Sequence, residues 1–411
     1  MKAYLVGGAV RDRLLGLAVQ ERDWVVVGET PETMERRGFK RVGKDFPVFL
    51  HPQTHEEYAL ARTERKVAPG HRGFVVHADP SVTLEEDLRR RDLTINAMAM
   101  DEHGNLIDPF GGFKDLKNRL LRHVSEAFAE DPLRVLRVAR FAARFAHLGF
   151  KVAPETMALM RRMVEAGEVD ALTPERVFQE LEKALAERTP TAFFEALREC
   201  GANARLFPEI ERLFGVPQPA KWHPEIDTGV HTMMSLAQAA RLTADTLVRF
   251  AALVHDLGKG LTPPEEWPHH RGHEIRGLVP LSELCQRLKI PKVYQRLAER
   301  VMRYHDCCHK VYGLRPSTIM QVLHALDALR DEVGFERFLL ASMADARGRL
   351  GQEDQPYPQA NWWRALRRAA AEVKAAPFLA QGLYGEALGQ ALHQARVLAV
   401  AAEKRRLQTG G

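Results

Sequence analysis

The chain has 411 residues, of which 45% are hydrophobic and 27% are charged, and this composition excludes a wholly disordered or fibrous protein. No apolar run approaches the roughly 20 residues that a membrane-spanning helix needs, so we expect no membrane partner. The formal net charge of +5 permits a polyanionic partner such as nucleic acid without proving one.

The apolar pattern changes once along the chain. Before about residue 125 it consists of short runs that predict strands, at 4–6, 24–27, 48–50 and 58–60, whereas later apolar residues follow helical spacing. Prolines crowd segment 207–228, where helices should end. Segment 64–82 is predicted to be a mobile loop or a weak hairpin. We predict an α+β fold with a mixed α/β head (1–125), then an all-α neck (126–211), body (212–350) and tail (351–411).

Gly7 and Gly8 follow the first predicted strand and precede a helix. Glycines at such a turn let backbone N–H groups approach phosphate oxygens, and Arg11 adds a forked donor. A tight turn that merely needs small residues explains a glycine pair alone better. The motif therefore gains weight only from its neighbours.

Glu21 and Asp23 alternate along the second predicted strand, so both side chains should point to one face. Neighbouring carboxylates repel each other unless cations neutralise them. Two divalent ions held there activate a hydroxyl and stabilise a leaving pyrophosphate. An isolated pair of this kind is more simply a solvated strand edge.

Three consecutive arginines, 89–91, form the third element, and Asp92 and Asn96 follow them. Arginine runs alone usually form a solvated face. In company with Asp92 and Asn96 they are able to hold phosphates and a ribose hydroxyl together.

Five motifs occur in order along the head and the start of the neck. They are Gly-Gly-Ala-Val-Arg-Asp at 7–12, Glu-Arg-Asp at 21–23, Arg-Arg-Asp-Leu-Thr-Ile-Asn-Ala at 90–97, Asp-Pro-Phe-Gly-Gly at 108–112 and Glu-Asp-Pro-Leu-Arg at 130–134. This order resembles the class II tRNA nucleotidyltransferases, which include CCA-adding enzymes and bacterial poly(A) polymerases. The resemblance implies a polymerase-β-like nucleotidyltransferase head that uses Mg²⁺ held by Glu21 and Asp23, with Gly8, Arg11 and Arg91 as nucleotide contacts.

The sequence departs from the family at the first metal position. The family usually has aspartate at both positions, whereas Glu21 adds a methylene group in a site that demands near-octahedral geometry. We therefore expect Asp23 to carry the chemistry and Glu21 to reduce activity. Polymerases of this superfamily generally use a third carboxylate from a neighbouring strand, and Glu57 is the candidate.

A stripe of arginines marks the neck. Between Asp131 and Val164 the chain has seven basic and two acidic residues, and Arg134, Arg137, Arg140 and Arg144 share one side of a helix. A solvated face of an amphipathic helix is the alternative. The resemblance implies that Asp131 and Arg134 contact the base and that Arg137 and Arg140 contact the triphosphate.

Two such residues explain a choice of C and A. Cytosine and adenine each present an amino donor beside a ring-nitrogen acceptor, which match a carboxylate and an arginine. Uracil and guanine present a carbonyl acceptor beside an N–H donor, and each mismatched buried group costs about 1 to 3 kcal/mol. Asp131 and Arg134 therefore suffice to accept CTP and ATP and to reject UTP and GTP.

A second constellation of histidines and aspartates lies in the body. Any single histidine among the 17 is presumed structural, but a buried His-Asp pair such as 255–256 demands a partner. The ordered set resembles the HD phosphohydrolase superfamily, whose imidazoles and carboxylates bind a divalent metal that activates water. The resemblance implies ligands at His231, His255, Asp256 and Asp345, of which His255 and Asp256 are also catalytic, with His273 and His305 nearby and Lys259 at the phosphate.

A head of this family joined to an HD body resembles the bacterial CCA-adding enzymes that carry an HD phosphohydrolase domain. The implied activities are template-independent addition of CCA to tRNA from CTP and ATP, together with 2′,3′-cyclic phosphodiesterase, 2′-nucleotidase and phosphatase activities, often stimulated by Ni²⁺. The implied partners are the tRNA 3′ end and acceptor stem, with no DNA. The four cysteines form neither a disulfide framework nor a paired zinc motif, so we expect a cytoplasmic protein.

Three other functions stay open. A poly(A) polymerase shares the head motifs but adds only A, and the complete HD set disfavours it. An HD phosphohydrolase with an inactive, tRNA-binding head is favoured by Glu21 alone. A purely structural RNA chaperone leaves both constellations unexplained.

Overall fold

The computed structural model describes residues 1–42, 48–66 and 74–409. The chain divides into two compact units, Met1–Leu206 and Phe207–Gly411. None of the helices in these ranges combines the length and the hydropathy needed to cross a membrane. The finer division at residues 125, 211 and 350 stays a prediction.

A mixed sheet frames the first unit. The described strands are β1 (Lys2–Val6), β2 (Asp23–Val27), β3 (Lys40–Arg41), β4 (Val48–Leu50), β5 (Glu57–Leu60), β6 (Thr63–Lys66), β7 (Phe74–His77), β8 (Ala99–Met100), β9 (Leu106–Ile107), β10 (Leu120–Leu121) and β11 (Lys151–Val152). Seven of them form one sheet in the order β3-β4-β5-β2-β1-β8-β9. β2 pairs antiparallel with β1 and parallel with β5. The four strands predicted from apolar runs are confirmed.

Alternation along β2 builds a core on each face of this sheet. Val25 belongs to one apolar cluster with Val6, and Val26 belongs to another with Phe49. Because both faces of the strand are buried, its position is fixed. The polar residue Asp23 is thereby held at the start of the strand.

The segment predicted to be a loop or a weak hairpin contains a hairpin. β6 and β7 pair antiparallel, from Thr63 opposite His77 to Lys66 opposite Phe74. The connecting residues 67–73 lie outside the described residues. The hairpin is confirmed, and its mobility stays a prediction.

Nine described helices accompany the described strands of the first unit, and most of its second half is helical. They are α1 (Gly8–Leu14), α2 (Pro31–Arg36), α3 (Leu84–Arg89), α4 (Gly112–Asn118), α5 (Leu133–Phe145), α6 (Pro154–Glu165), α7 (Pro174–Ala186), α8 (Thr191–Glu199) and α9 (Ala202–Leu206). Prolines in the first turns of α6 and α7 suit helix starts, since that position needs no backbone donor. α5 packs on α7 and α8 through buried side chains such as Leu136 and Phe145.

The second unit is helical, as the change of periodicity predicts. Its described helices are α10 (Pro208–Glu211), α11 (Thr228–Leu242), α12 (Thr246–Val254), α13 (His273–Arg276), α14 (Leu278–Arg287), α15 (Lys292–His309), α16 (Pro316–Ala325), α17 (Glu332–Arg347), α18 (Pro358–Glu372), α19 (Ala376–Ala380) and α20 (Gly385–Thr409). α11, α12, α15 and α17 pack on one another around buried Phe250 and Phe338. α12 is wholly buried over 248–254 and ends directly before His255.

Candidate active sites

The turn between β1 and α1 borders a cleft in the first unit. Gly7 adopts a φ of 67°, a left-handed conformation that favours glycine. A Cβ atom at Gly7 would lie 2.9 Å from Nη1 of Arg91. Gly7 therefore lets the arginine-rich segment approach the turn, and Gly8 lines the cleft beside it.

This cleft, of about 550 Å³, collects every nucleotide-binding residue that the sequence predicts, and it includes Asp23. Guanidinium groups dominate it. The lining arginines are Arg11, Arg62, Arg90, Arg91, Arg134, Arg137, Arg140, Arg144 and Arg176. Each guanidinium presents a planar fork of donors, so the cleft suits the oxygens of a triphosphate.

Asp23 and Glu57 are neighbours on adjacent parallel strands. The register pairs the first residue of β2 with the first residue of β5, which places both side chains on one face of the sheet. Both carboxylates line a pocket of about 370 Å³ together with Glu21. Asp23 borders this pocket and the arginine-rich cleft, so it joins the two.

Glu21 does not lie on the strand, and the prediction that strand alternation aligns it with Asp23 is wrong. β2 begins at Asp23, because the pairing with β1 and with β5 both end at this residue. Glu21 lies exposed in the preceding segment. It nevertheless lines the same pocket as Asp23, so the carboxylates are close for a reason other than alternation.

The carboxylates of this pocket fit Mg²⁺. Partial loss of hydration raises the pKa of Asp23, the Arg91 charge opposes this effect, and the Glu21 charge adds to it. A carboxylate in such surroundings is stabilised by a cation. Carboxylate oxygens are the hard ligands that Mg²⁺ prefers, and Asp23, Glu57 and Glu21 offer them together.

A hydrogen-bond network links the predicted phosphate and ribose contacts. Arg11 donates from Nη1 to Oδ1 of Asn96. Asn96 donates from Nδ2 to Oδ1 of Asp92 at 3.0 Å, and Arg137 donates from Nε to Oδ2 of Asp92 at 2.8 Å. The network therefore runs from α1 to α5 and fixes the orientation of both arginines.

The two residues predicted to contact the base lie in the wall of the cleft. Arg134 is buried and donates to the backbone carbonyl oxygens of Ala127 and Arg90. Asp131 accepts from Nη2 of Arg176 at 2.9 Å. The structure thus places both residues at one cleft, each held by hydrogen bonds to neighbouring groups.

The arginine stripe of α5 is not the solvated face that served as the alternative. Arg134 and Arg140 are 8% and 9% exposed. Arg140 pairs with Glu180 at 2.6 Å, and Arg144 pairs with Asp12. The stripe is a wall of the cleft, because all four arginines line it and each has an acidic or carbonyl partner.

The second candidate site lies where four helices of the second unit meet. α11 supplies His231, α12 leads into His255 and Asp256, and α17 supplies Asp345. All four predicted ligands are at most 3% exposed. His273 on α13 and His305 on α15 lie beside them, as the resemblance implies.

Short distances connect these groups. Nε2 of His231 lies 3.1 Å from Oδ1 of Asp345. Nε2 of His255 lies 3.2 Å from Oδ2 of Asp256, and Nε2 of His273 lies 3.3 Å from Oδ1 of Asp256. The potential ligand atoms form overlapping groups of three within 4.8 Å of one another.

Backbone carbonyl groups orient the imidazoles. Nδ1 of His231, His255, His273 and His305 lies between 2.7 and 3.0 Å from the carbonyl oxygens of Gly348, Ala252, His270 and Val301, respectively. A carbonyl oxygen only accepts, so Nδ1 carries a proton and Nε2 is the ring nitrogen turned toward the carboxylates or a metal. Metal-binding histidines are held in this way.

Among the described residues, three buried atoms of the cluster form no well-directed hydrogen bond despite these short distances: Nε2 of His255, Nε2 of His273 and Oδ1 of Asp256. Burial lowers the pKa of His255, but Asp256 and Asp345 outweigh it and raise that pKa to about 10. Unpartnered imidazole nitrogens beside carboxylate oxygens suit a divalent transition metal. The residues present therefore fit the metal that the HD resemblance implies.

A pocket of about 720 Å³ opens onto this cluster and is lined by Asp256, His273, His305 and Asp345, among others. Lys259, predicted to contact phosphate, also lines it. Its Nζ donates to Oδ2 of Asp256 and to Oε1 of Gln218, at 2.6 Å each. Lys259 therefore neutralises a buried carboxylate as well as facing the pocket.

Family models match three segments of the chain. Residues 3–122 match the Poly A polymerase head domain, 149–214 match the probable RNA and SrmB-binding site of polymerase A, and 228–330 match the HD domain. The first segment contains Asp23, and the third contains His231, His255, Asp256 and His305.

The chain is similar over nearly its whole length to proteins named multifunctional CCA protein. It is 68% identical over 401 residues to the one from Methylococcus capsulatus, which covers 97% of this chain and 94% of the relative. It is 66% identical over 400 residues to the one from Thioalkalivibrio sulfidiphilus, which covers 97% and 98%. This chain belongs to the multifunctional CCA protein family.

As a member of the multifunctional CCA protein family, the chain is an enzyme, a CCA-adding nucleotidyltransferase with an HD domain. Its fold is shared by the apo form II structure of a CCA-adding enzyme, with a TM-score of 0.67 at 21% identity over 100% of this chain and 91% of that one. The Thermotoga maritima CCA-adding enzyme complexed with tRNA gives 0.63 at 20% identity over 99% and 91%. The predicted α+β fold, with its polymerase-β-like head and helical HD body, is confirmed.

Sequence reasoning missed several contacts in this multifunctional CCA protein family member. Arg176 and Glu180 are four positions apart on α7. Arg176 forms an ion pair with Asp131 of the cleft, and Glu180 forms one with Arg140 of the cleft. Their spacing was a signal, but it equally predicts an ion pair within the helix. His309 lies one turn after His305 and its Nε2 is 2.6 Å from Oδ2 of Asp345. That spacing places His309 on the face of His305 and was readable in advance.

Proposed function

We propose that the head adds C, C and A to the 3′ end of tRNA without a template, using CTP and ATP and releasing pyrophosphate in the cytoplasm. The observation that carries the proposal is the single cleft that unites Asp23 with every predicted nucleotide contact. Membership of the multifunctional CCA protein family supports it. So does the fold likeness to CCA-adding enzymes solved with tRNA and with ATP.

Residues of the cleft position the incoming nucleotide. Arg11, Arg91, Arg137 and Arg140, with the backbone at Gly8, donate to the triphosphate oxygens. The carboxylate of Asp131 accepts from the exocyclic amino group of C or A, and Arg134 donates to the ring nitrogen. Because the protein already holds these side chains, little ordering is left to occur on binding.

The nucleophile is the terminal 3′-hydroxyl of the tRNA, and the bond formed joins this oxygen to the α-phosphorus while pyrophosphate leaves. Asp23, Glu57 and Glu21 would hold Mg²⁺ at this point. When bound, Mg²⁺ lowers the pKa of the hydroxyl and neutralises charge on the leaving group. Asp23 borders both the cleft and the adjoining pocket, the place where nucleotide and tRNA end would meet.

The tRNA is gripped through its acceptor stem. The segment 131–164 is basic, with seven Lys or Arg against two acidic residues, and 149–214 matches an RNA-binding family model. Phosphate contacts and A-form shape supply affinity with little base reading. The partner is therefore RNA rather than DNA.

The HD body acts as a phosphohydrolase on 2′,3′-cyclic phosphates, 2′-nucleotides and other phosphomonoesters. His231, His255, Asp256 and Asp345 would hold a divalent metal, with Ni²⁺ as the candidate, which when bound supplies an activated water. Attack of water on phosphorus breaks the P–O3′ bond, and the 3′-oxygen takes the proton. The product carries a 2′-phosphate and the free 3′-hydroxyl that the head needs, and a second hydrolysis removes the 2′-phosphate.

The test of the head uses the purified full chain, Mg²⁺ and tRNA that lacks its terminal CCA. Each of the four labelled nucleotides is offered singly, and CTP is offered with ATP, with Asp23→Ala as the control. Two C and then one A, absent from the control, is the expected result. A ladder of A would instead establish a poly(A) polymerase.

The test of the body uses tRNA that ends in a 2′,3′-cyclic phosphate, with and without Ni²⁺, and compares the full chain with Asp256→Ala. We expect the native chain to open the cyclic phosphate and Asp256→Ala to lose this activity. Hydrolysis without any nucleotide incorporation would establish an HD phosphohydrolase with an inactive head.

A further inference from the structure

A second pocket in the HD unit adjoins the pocket over the histidine cluster, and the function proposed above does not use it. Its volume is about 400 Å³. Four residues line both pockets: Trp222, His309, Arg349 and Gln359. Because four residues line both pockets, the two pockets lie next to each other on either side of these side chains.

The second pocket has the chemistry of a nucleotide site. Its lining contains the cations of Lys221, Arg347 and Arg349, and none of the described residues that line it is acidic. Three glutamines add amide groups that both donate and accept, Gln352, Gln355 and Gln359. Positive charge with versatile hydrogen-bonding groups suits an anionic ligand that carries polar edges.

Trp222 provides a surface on which an aromatic ring can stack. It is 59% exposed although it is among the largest apolar side chains, and Nζ of Lys221 lies 4.7 Å from its ring centroid. An exposed tryptophan beside a cation is the usual platform for a nucleobase next to a phosphate. The alternative of an unused surface side chain does not explain why it borders two pockets.

The loop that carries Trp222 is tied to the metal-ligand candidates. Nδ1 of the next residue, His223, lies 2.9 Å from Oε1 of Glu225, and the same oxygen lies 3.1 Å from Nδ1 of His231. The backbone beside Trp222 is therefore tied to the cluster through two side chains, which keep this loop next to the candidate metal ligands.

Two atoms on the shared wall are buried and lack hydrogen-bond partners among the described residues, Nε of Arg349 and Oε1 of Gln359. Nη2 of Arg349 lies 4.0 Å from Oδ1 of Asp345, so the guanidinium borders the cluster. Native proteins rarely leave such groups unpaired, and a polar ligand is one way to pair them. Both residues line the two pockets, so a ligand that reaches between them is a candidate partner for these atoms.

We propose that the second pocket is the nucleobase subsite of the HD phosphohydrolase. It holds the base of the terminal nucleotide by stacking on Trp222, with Arg349 at the phosphate that faces the cluster. The proposal rests on the phosphohydrolase activity proposed above and adds a part of the substrate that this activity does not specify, a nucleobase attached to the ribose that carries the phosphate. Stacking accepts every base, so the subsite recognises a nucleotide without reading its identity.

The test compares two substrates that share the reacting group. They are adenosine 2′,3′-cyclic phosphate and methyl riboside 2,3-cyclic phosphate, which lacks the base, and both are given to the full-length protein with Ni²⁺. In Trp222→Ala we expect the KM of the adenosine compound to rise about tenfold with kcat nearly unchanged. The baseless compound should show no such change, and Trp222→Phe should restore most of the loss. Tyr384→Ala, which removes another highly exposed aromatic side chain, is the matched control.

Equilibrium binding separates this proposal from the activity on which it rests. Calorimetry with adenosine 2′-monophosphate and with ribose 2-phosphate needs no turnover, and only the first should bind about tenfold more weakly to Trp222→Ala. If the native protein opens neither cyclic phosphate, the proposed phosphohydrolase activity is refuted. Calorimetry then still tests whether the second pocket binds the base. Equal binding of adenosine 2′-monophosphate by native protein and variant, or equal loss for both ligands, would overturn the subsite.

Discussion

Asp92 and Arg137, 45 positions apart, form an ion pair in which Nη2 of the arginine lies 2.8 Å from Oδ2 of the aspartate. Asp92 is 5% exposed. Burial alone raises the pKa of this carboxyl, but Arg137 and the donated bond from Asn96 outweigh it and hold the pKa well below its usual range. The pair therefore ties the Arg-Arg-Asp motif of the head to α5 and stabilises the fold only while Asp92 is ionised.

This pair predicts an acid-sensitive contribution to stability. Because the folded pKa of Asp92 lies below the unfolded value of about 3.9, the stabilisation is complete above that pH and declines as pH falls toward the folded pKa. Asp92→Asn should lower the free energy of unfolding by about 1 to 3 kcal/mol at pH 7, with a smaller deficit at pH 3. Urea unfolding followed by circular dichroism at both values measures this. Glu102→Gln, on an exposed side chain, is the control, and a deficit in Asp92→Asn that does not shrink in acid would contradict the assignment.

Asp23 and Glu57 should both be needed for nucleotidyl transfer. Asp23→Asn is expected to lower kcat by about a thousandfold or more and Glu57→Gln by about a hundredfold, because each removes a charged carboxylate that is proposed to hold Mg²⁺ at the reacting phosphate. Incorporation of labelled C into tRNA lacking CCA measures both. Glu102→Gln should keep native activity, and hydrolysis of a cyclic phosphate should persist in all three variants. Native activity in Glu57→Gln would show that the third carboxylate lies elsewhere.

Substitutions of Arg134 and Arg176 should have different effects, the first on the choice of nucleotide and the second on the affinity for both nucleotides. Arg134→Ala removes the donor proposed to face the base, so misincorporation of U or G relative to C should rise about tenfold while tRNA affinity stays near native. Arg176→Ala leaves that donor but frees Asp131 from its ion pair. We expect a higher KM for both CTP and ATP with their ratio little changed. Single-turnover assays with each nucleotide test this, and a uniform loss in Arg134→Ala would refute the base contact.

The histidine cluster should bind one divalent metal per chain. His231→Ala, His255→Ala and Asp345→Ala are each expected to weaken Ni²⁺ binding at least tenfold, because each removes a ligand from a buried site. Calorimetric titration and elemental analysis of the dialysed protein measure this. His324→Ala, in the same unit but outside the cluster, should bind as the native protein does. CCA addition should survive in every variant, and unchanged metal content in His255→Ala would exclude this cluster as the site.

Two glycine substitutions should have opposite effects on the second unit. A Cβ atom at Gly258 would lie 1.9 Å from the carbonyl oxygen of His273, so Gly258→Ala should cost about 3 kcal/mol or more and weaken metal binding. Gly389 lies in α20 with no atom within 4 Å of an added Cβ. Gly389→Ala should therefore stabilise this helix by up to about 1 kcal/mol. Urea unfolding and Ni²⁺ titration check both, and equal stability of the two variants would count against the close approach.

The amino-acid sequence by itself determined the local features of this protein. Short apolar runs located β1, β2, β4 and β5, helical spacing predicted the helical second unit, and the arginine spacing defined one side of α5. These inferences succeeded because short apolar runs and helical periodicity are properties of a few consecutive residues. The order of the five motifs also identified the family, since each motif contains residues that the chemistry of the family needs.

Only the tertiary structure decided which distant residues share a site. The parallel pairing of β2 with β5 brings Glu57 beside Asp23 and leaves Glu21 off the strand. The partners Glu180 and Arg176 of the cleft follow from how helices pack. Pairing and packing are set by burial summed over the whole unit, and the sequence pattern of one segment does not specify which other segment will cover it. The pocket beside Trp222 belongs to the same class, because a pocket is the gap between elements rather than a property of any one of them.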